Sequence, residues 1–154
     1  MSGRGKWIAV IVWGTIIAML FGANGPLGGF WGVESGDTDP SGGALAALIG
    51  AAIVEWIGFG VGLAWLAFGW PLVRALDRPL ARPAWAAIGW ALVSWAPHTS
   101  FHQSVAEGNY GALAAVEWAF HATLVAGGIV LAAFVWQVLR SADPDRPAPA
   151  AVAG

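Results

Sequence analysis

Residues 44–70 read ALAALIGAAIVEWIGFGVGLAWLAFGW, and this stretch contains one charged side chain, Glu55. About 20 consecutive apolar residues are enough for a helix to cross the hydrocarbon core of a bilayer, which is about 30 Å thick. The stretch therefore predicts a transmembrane helix. An unpaired carboxylate at membrane depth costs several kcal/mol, so we expect Glu55 to face the interior of the protein.

The composition of the whole chain agrees with that reading. Of its 154 residues, 58% are apolar and 10% are charged, and Trp occurs 11 times. This is typical of a membrane protein that crosses the bilayer several times. The net charge of −2, without a basic patch, argues against a nucleic-acid partner. The chain has no Cys, which excludes disulfides, thiolate metal sites and iron–sulfur clusters.

Three further apolar runs lie on either side of this stretch. The four predicted spans cover about residues 7–22, 44–70, 84–104 and 112–139. Pro97 should kink the third span or end its regular part. A basic head followed by an apolar run is also how a signal peptide begins, but no small-x-small cleavage site follows this run, so we expect a retained helix. The Pro/Ala-rich tail, 141–154, is predicted to be disordered.

The basic residues predict the topology. All seven lie in the head, the second connector or the tail: Arg4, Lys6, Arg74, Arg78, Arg82, Arg140 and Arg146. The positive-inside rule then places both termini in the cytoplasm. The predicted fold class is an all-α integral membrane protein, an antiparallel bundle of four transmembrane helices with an N-in/C-in topology. An excess of Arg over Lys, with abundant Ala and Gly, favours a bacterial cytoplasmic membrane.

The polar chemistry of the chain is concentrated between Trp95 and His121, which includes all three histidines. Counted from the cytoplasmic helix ends at 1.5 Å per residue, five ionisable residues lie about 21–33 Å up, in the outer half of the membrane. They come from three different predicted helices and are Glu55, His98, His102, Glu117 and His121. We expect them to form one site that faces the extracytoplasmic side.

The spacing within this group is that of metal ligands. His98 and His102 are four residues apart, as are Glu117 and His121, so each pair projects from one face of a helix. Two side chains so spaced can bind one ion, as in helix-borne H-x-x-x-H motifs. With Glu55, three imidazoles and two carboxylates suffice for one or two transition-metal ions, copper or zinc first and iron second. Such a site could support redox chemistry, or activate oxygen or water, on a lipid-soluble substrate. Whether the protein is an enzyme stays open.

Two other readings of the same residues stay open. They could form a structural or proton-relay network in a non-enzymatic accessory subunit or a small transporter. Alternatively, haem b could be held between His98 or His102 and His121 in an electron-transfer protein. Ser94 and Thr99 are candidates for outer groups that orient the ligands, although such residues often bond only to their own helix backbone.

Small residues near Glu55 predict where helices pack. Gly58 and Gly62 form a small-xxx-small pair within about 60° of Glu55 on the helical wheel. This face should therefore lie against another helix, either within the chain or in a second copy. The expected partners are the lipid bilayer and a homo-oligomer or larger membrane complex.

Overall fold

The described part of the chain is helical throughout. A computed structural model describes residues 3–23, 25–28, 42–104 and 110–141, and within these ranges there is no strand. Its helices are α1 (Gly3–Phe21), α2 (Gly42–Phe68), α3 (Trp70–Arg74), α4 (Ala81–Val93), α5 (Trp95–Ser104) and α6 (Tyr110–Ser141). The predicted disorder of the tail concerns residues that, from 142 onward, lie outside the described ranges.

Three of these helices are long and apolar enough to cross a membrane. They are Gly3–Phe21, Leu45–Phe68 and Gly111–Ser141. Their apolar surfaces suggest contact with a lipid bilayer, and the all-helical class expected from the sequence is confirmed.

The predicted third span is divided in two. A bend at Ser94 separates α4 from α5. The physical reason is Pro97, because proline has no N–H for the carbonyl four residues earlier and its ring clashes with that carbonyl. Four residues before Pro97 is Val93, the last residue of α4. The proline therefore ends α4 and redirects α5.

The long helices pack in chain order: α1 against α2, α2 against α4, and α4 against α6. Within the described ranges α1 and α6 do not pack together, so these helices form an open row and not a closed ring. No large side chain among the described residues is fully buried, and many large apolar side chains are exposed. A row of this kind has little interior, so its outward surfaces suit lipid better than water.

A buried apolar cluster lies at one end of the row. It is formed by Val73, Ala81, Ala84 and Phe134, with six partly buried apolar residues packed around it. Two of these, Trp65 and Trp85, exchange hydrogen bonds between α2 and α4. The indole Nε1–H of Trp65 donates to the carbonyl of Trp85 at 2.9 Å, and that of Trp85 donates to the carbonyl of Trp65 at 3.2 Å.

This reciprocal pair leads to a first prediction. Trp65→Phe should lower the free energy of unfolding by about 1 kcal/mol, because one indole donor is lost and a carbonyl loses its partner. The measurement is unfolding by SDS titration in mixed micelles. Trp13→Phe, at an indole that is 65% exposed, is the matched control and should change little. Equal effects of the two substitutions would contradict the structural role of the pair.

Helix α2 uses glycines on two different faces. A Cβ atom at Gly60 would lie against the carbonyl oxygen of Ile11 and 2.6 Å from the hydroxyl of Thr15, both on α1. A Cβ at Gly62 would lie 2.6 Å from the Val93 side chain, and one at Gly58 would lie 3.7 Å from the Leu92 carbonyl. Gly58 and Gly62 therefore face α4 of the same chain, while Gly60 allows the close crossing of α1 and α2.

The other end of the row is organised by α5, which contacts α2, α4 and α6. The buried hydroxyl of Ser100 accepts a hydrogen bond from the backbone N–H of Ala23 at 3.1 Å and donates one to the carbonyl of Ala96 at 2.9 Å. The end of α1 is thereby attached to α5. The histidines of α5 lie at this end of the row, and the buried cluster around Phe134 lies at the other end.

Candidate metal centre

Two short helical segments supply the candidate site. His98 and His102 are one turn apart on α5, and Glu117 and His121 are one turn apart on α6. Since residues four apart share a helix face, each segment presents a pair of polar side chains to the other. The packing of α5 against α6 brings the two pairs together.

Glu117 lies at the centre of the group. Its Oε1 is paired with Nε2 of His102, and its Oε2 lies 2.8 Å from Nδ1 of His121. The same Nδ1 is 2.9 Å from the main-chain oxygen of Glu117. A proton on Nδ1 of His121 can therefore be donated to Glu117, which leaves Nε2 of that ring as the atom available to a ligand.

His98 is held by aromatic contacts. Its ring is stacked on Phe120, with centroids 3.6 Å apart and planes 10° from parallel. It meets His102 and His121 edge to face, at centroid distances of 4.5 and 5.6 Å. Its Nδ1 is buried and has no hydrogen-bond partner among the described residues. Packing therefore sets the position of the ring, and Nδ1 is not hydrogen-bonded to any group in the described part of the chain.

Three of these residues could hold a metal ion. His98, Glu117 and His121 each offer one ligand atom, and the three atoms lie within 4.8 Å of one another. Metal–ligand distances of about 2.0–2.2 Å in tetrahedral geometry put two ligand atoms about 3.4 Å apart. Ligand atoms as much as 4.8 Å apart would thus have to approach each other by up to about 1.4 Å around an ion. His102, through its pairing with Glu117, is adjacent to this group.

The site is open on one side. The side chain of His121 is 58% exposed, that of His102 is 38% exposed and that of Glu117 is 34% exposed. Metal sites that act on other molecules keep a coordination position free, whereas structural sites are closed by protein ligands. The exposure therefore suits a site that binds something from outside the chain.

Glu55, the fifth ligand predicted from the sequence, has a different partner. Its Oε1 accepts a hydrogen bond of 2.8 Å from the hydroxyl of Thr99. Thr99 follows His98 directly, so it points about 100° away from it around α5. The group of three ligands found among the described residues does not include Glu55. The hydroxyl of Thr99 accordingly donates to a carboxylate on α2.

Ser94, the other predicted outer group, lies at the bend between α4 and α5. It is buried, and its hydroxyl has no hydrogen-bond partner among the described residues. It is four residues before His98, on the same face of the chain, and its carbonyl accepts the backbone N–H of His98 at 3.0 Å. Ser94 is thus linked to His98 through the backbone, while its hydroxyl is bonded to nothing within the described ranges.

Sequence reasoning missed the aromatic residues that support the site. Phe120 is buried, stacks on His98 and meets Trp95 edge to face at 5.1 Å. In the sequence Phe120 is one more apolar residue of a long apolar helix. Its position directly before His121 carries no spacing signal, because neighbours in a helix point about 100° apart.

No family model, curated protein or solved structure matches this chain. Its class is therefore defined by its own helices and side chains. It is an all-helical protein with membrane-like apolar helices and a His/Glu group that could hold a metal ion.

Proposed function

We propose that this is a four-span membrane protein that binds a transition-metal ion through His98, Glu117 and His121 at the outer end of its helices. The observation that carries the proposal is the convergence of two imidazoles and a carboxylate from α5 and α6. His102 is the fourth member, as a further ligand or as a hydrogen-bond partner of Glu117. The fourth span is α4 continued by α5, about 36 Å along residues 81–104.

The arrangement of basic residues supports the orientation. Trp7 contacts Phe68, so the start of α1 lies beside the end of α2. Trp70 contacts Trp85, and Phe134 joins the same cluster, which brings the start of α4 and the last turns of α6 to that end as well. The described basic residues are all at or near this end: Arg4, Lys6, Arg74, Arg78, Arg82 and Arg140. By the positive-inside rule this end is cytoplasmic and the metal site is extracytoplasmic.

Helix lengths support a position at the outer membrane boundary. His121 is 19 residues before Arg140, about 28 Å along α6, and His98 is 17 residues after Ala81, about 26 Å along the fourth span. Both heights approach the thickness of the hydrocarbon core, about 30 Å. Trp118, 77% exposed and one turn above His121, suits the interface with its amphipathic ring. The site would be accessible from water and from lipid.

The donor set favours certain metals. Two imidazoles with one carboxylate occur in catalytic zinc sites and in non-haem iron(II) sites, and a third imidazole, His102, also suits copper. Copper and zinc are our first choices because the site faces outward, and iron is the next. The free coordination position would allow bound water or oxygen to react with a lipid-soluble substrate. Haem b is the less favoured ligand, since Glu117 is already paired with two of the three histidines that could bind its iron, His102 and His121.

The second candidate function is a proton-linked polar network in an accessory subunit or small transporter. It is favoured by the pairing of Glu117 with both His102 and His121, which joins α5 to α6 without any metal. Ionisable residues at membrane depth commonly serve as proton relays. In this case substitution of a histidine in the network would change the free energy of unfolding, and the purified protein would contain no bound metal.

The test is elemental analysis of the detergent-purified protein by inductively coupled plasma mass spectrometry. We expect about one copper, zinc or iron ion per chain in the wild type, and loss of that ion in His98→Ala and His121→Ala, because each removes a ligand. His102→Ala should lower occupancy by less. Wild-type protein that stays free of metal after loading with each ion would overturn the proposal, and a Soret band would indicate haem instead.

A further inference from the structure

An apolar groove lies between α2 and the α4–α5 segment, next to the metal site. Its volume is about 570 Å³, within the range of pockets that hold small organic molecules. Gly50, Val54, Glu55 and Gly58 line it from α2, and Leu92 and Trp95 line it from the other side. Val54 and Trp95 are exposed, so within the described residues the groove is open to the lipid side.

Glu55 is the only charged residue of the eight that line this groove. One carboxyl oxygen accepts the Thr99 hydroxyl, while the other has no hydrogen bond to any described residue. A carboxyl group in an apolar wall is unfavourable unless a polar group meets it. A neutral ligand with a carbonyl or hydroxyl oxygen would supply that group, and a plain acyl chain would not.

The aromatic side chains indicate the shape of such a ligand and connect it to the site. Trp95 offers a flat ring at one side of the groove, suited to stacking on a planar head group. The other contacts of Trp95 run to Phe120 at 5.1 Å and from there to His98 at 3.6 Å. Two aromatic side chains, Trp95 and Phe120, would thus separate a planar ring in the groove from His98, a proposed metal ligand.

We infer that this groove binds a lipid-soluble quinone-type molecule, whose ring lies beside Trp95 and whose ring carbonyl accepts a hydrogen bond from the protonated carboxyl group of Glu55. Binding in the groove needs only the observed lining. Its role as the substrate site of the metal centre rests on the proposed function.

The test uses a photoactivatable azidoquinone with the protein in lipid nanodiscs, and labelled peptides are identified by mass spectrometry. We expect labelling on 50–58 and 91–95, competed by decylubiquinone and not by decylbenzene, which has no carbonyl. Gly50→Leu should lower this labelling about tenfold, because a Cβ there meets nothing within 4 Å and the side chain can fill the groove without a clash. Gly128→Leu, equally unobstructed but on α6, should not change it.

Two further variants test the hydrogen bond. Glu55→Leu should weaken competition by decylubiquinone about tenfold, whereas Glu55→Gln, which can still donate to a carbonyl, should retain most of it. Metal content is measured in the same samples. Labelling spread over all lipid-facing helices, or competition by decylbenzene as strong as by decylubiquinone, would overturn the inference even where metal is bound. Specific labelling of a protein that contains no metal would support quinone binding in the groove and contradict only the proposed metal site.

Discussion

Glu117→Gln is expected to lower the affinity for metal at least about a hundredfold, since changes outside the ligand shell alone cost about 10- to 100-fold. Glu117 supplies the only carboxylate of the three-residue group, and its two oxygens also hold His102 and His121. Glutamine keeps the shape of the side chain but removes the charge and one of the two acceptors. One substitution therefore weakens a ligand and the positioning of two others.

The affinity can be measured by competition with a chromophoric chelator in detergent, for the wild type and the variant. Glu55→Gln is the matched control: it is the same substitution in a neighbouring helix, at a carboxylate bonded to Thr99 and not to a histidine. It should leave the affinity within about threefold of wild type, below 1 kcal/mol. If both substitutions abolished metal binding, Glu55 would be a ligand after all, and if neither did, the proposed site would be wrong.

Gly60→Leu is expected to prevent the close packing of α1 on α2, and Gly60→Ala to lower the free energy of unfolding by about 1–3 kcal/mol. The reason is geometric. A single Cβ at Gly60 would lie 2.9 Å from the backbone nitrogen of Thr15, and a Cβ at Gly14 would lie 2.8 Å from the Cα of Gly60. Backbone atoms cannot rotate away as a side chain can, so the helices would have to separate.

Unfolding in SDS and detergent mixtures, followed by circular dichroism, gives the measurement. The matched control is Gly50→Ala on the same helix, where a Cβ meets nothing within 4 Å. In that open position alanine should leave stability unchanged or raise it by up to about 1 kcal/mol, because it is the better helix former. Opposite signs at positions 50 and 60 are expected, and destabilisation of equal size at both would contradict the packing argument.

Much of the helical framework could be predicted from residue types and their order. The long apolar runs predicted α1, α2 and α6, and these are the helices that are long and apolar enough to span a membrane. The predicted effect of Pro97 also has a local cause, since the ring acts on the carbonyl of Val93 four residues earlier. The packing order of the helices was less accessible, because apolarity all round a helix does not say which face meets which neighbour. In the described residues the helices form an open row.

The candidate site was predictable only within each helix. The four-residue spacings brought His98 beside His102 and Glu117 beside His121, because that spacing is a property of the α-helix itself. Equal depth along different helices suggested Glu55 as a further ligand. Depth does not specify direction around the helix axis, and α2 turns Glu55 toward Thr99. The stacking of Phe120 on His98 had no signal in the sequence for the same reason.

The sequence by itself determined the properties that depend on composition and local spacing: apolar helices, a break before Pro97, basic residues at one end and paired polar residues on α5 and α6. The tertiary structure decided the properties that depend on how helices are rotated and how closely they approach. It placed Gly60 at the crossing with α1, directed Gly62 toward α4, and placed Glu55 within hydrogen-bond distance of Thr99. The physical reason is that rotation and approach arise from many small packing contacts between distant residues, and no single residue type encodes their sum.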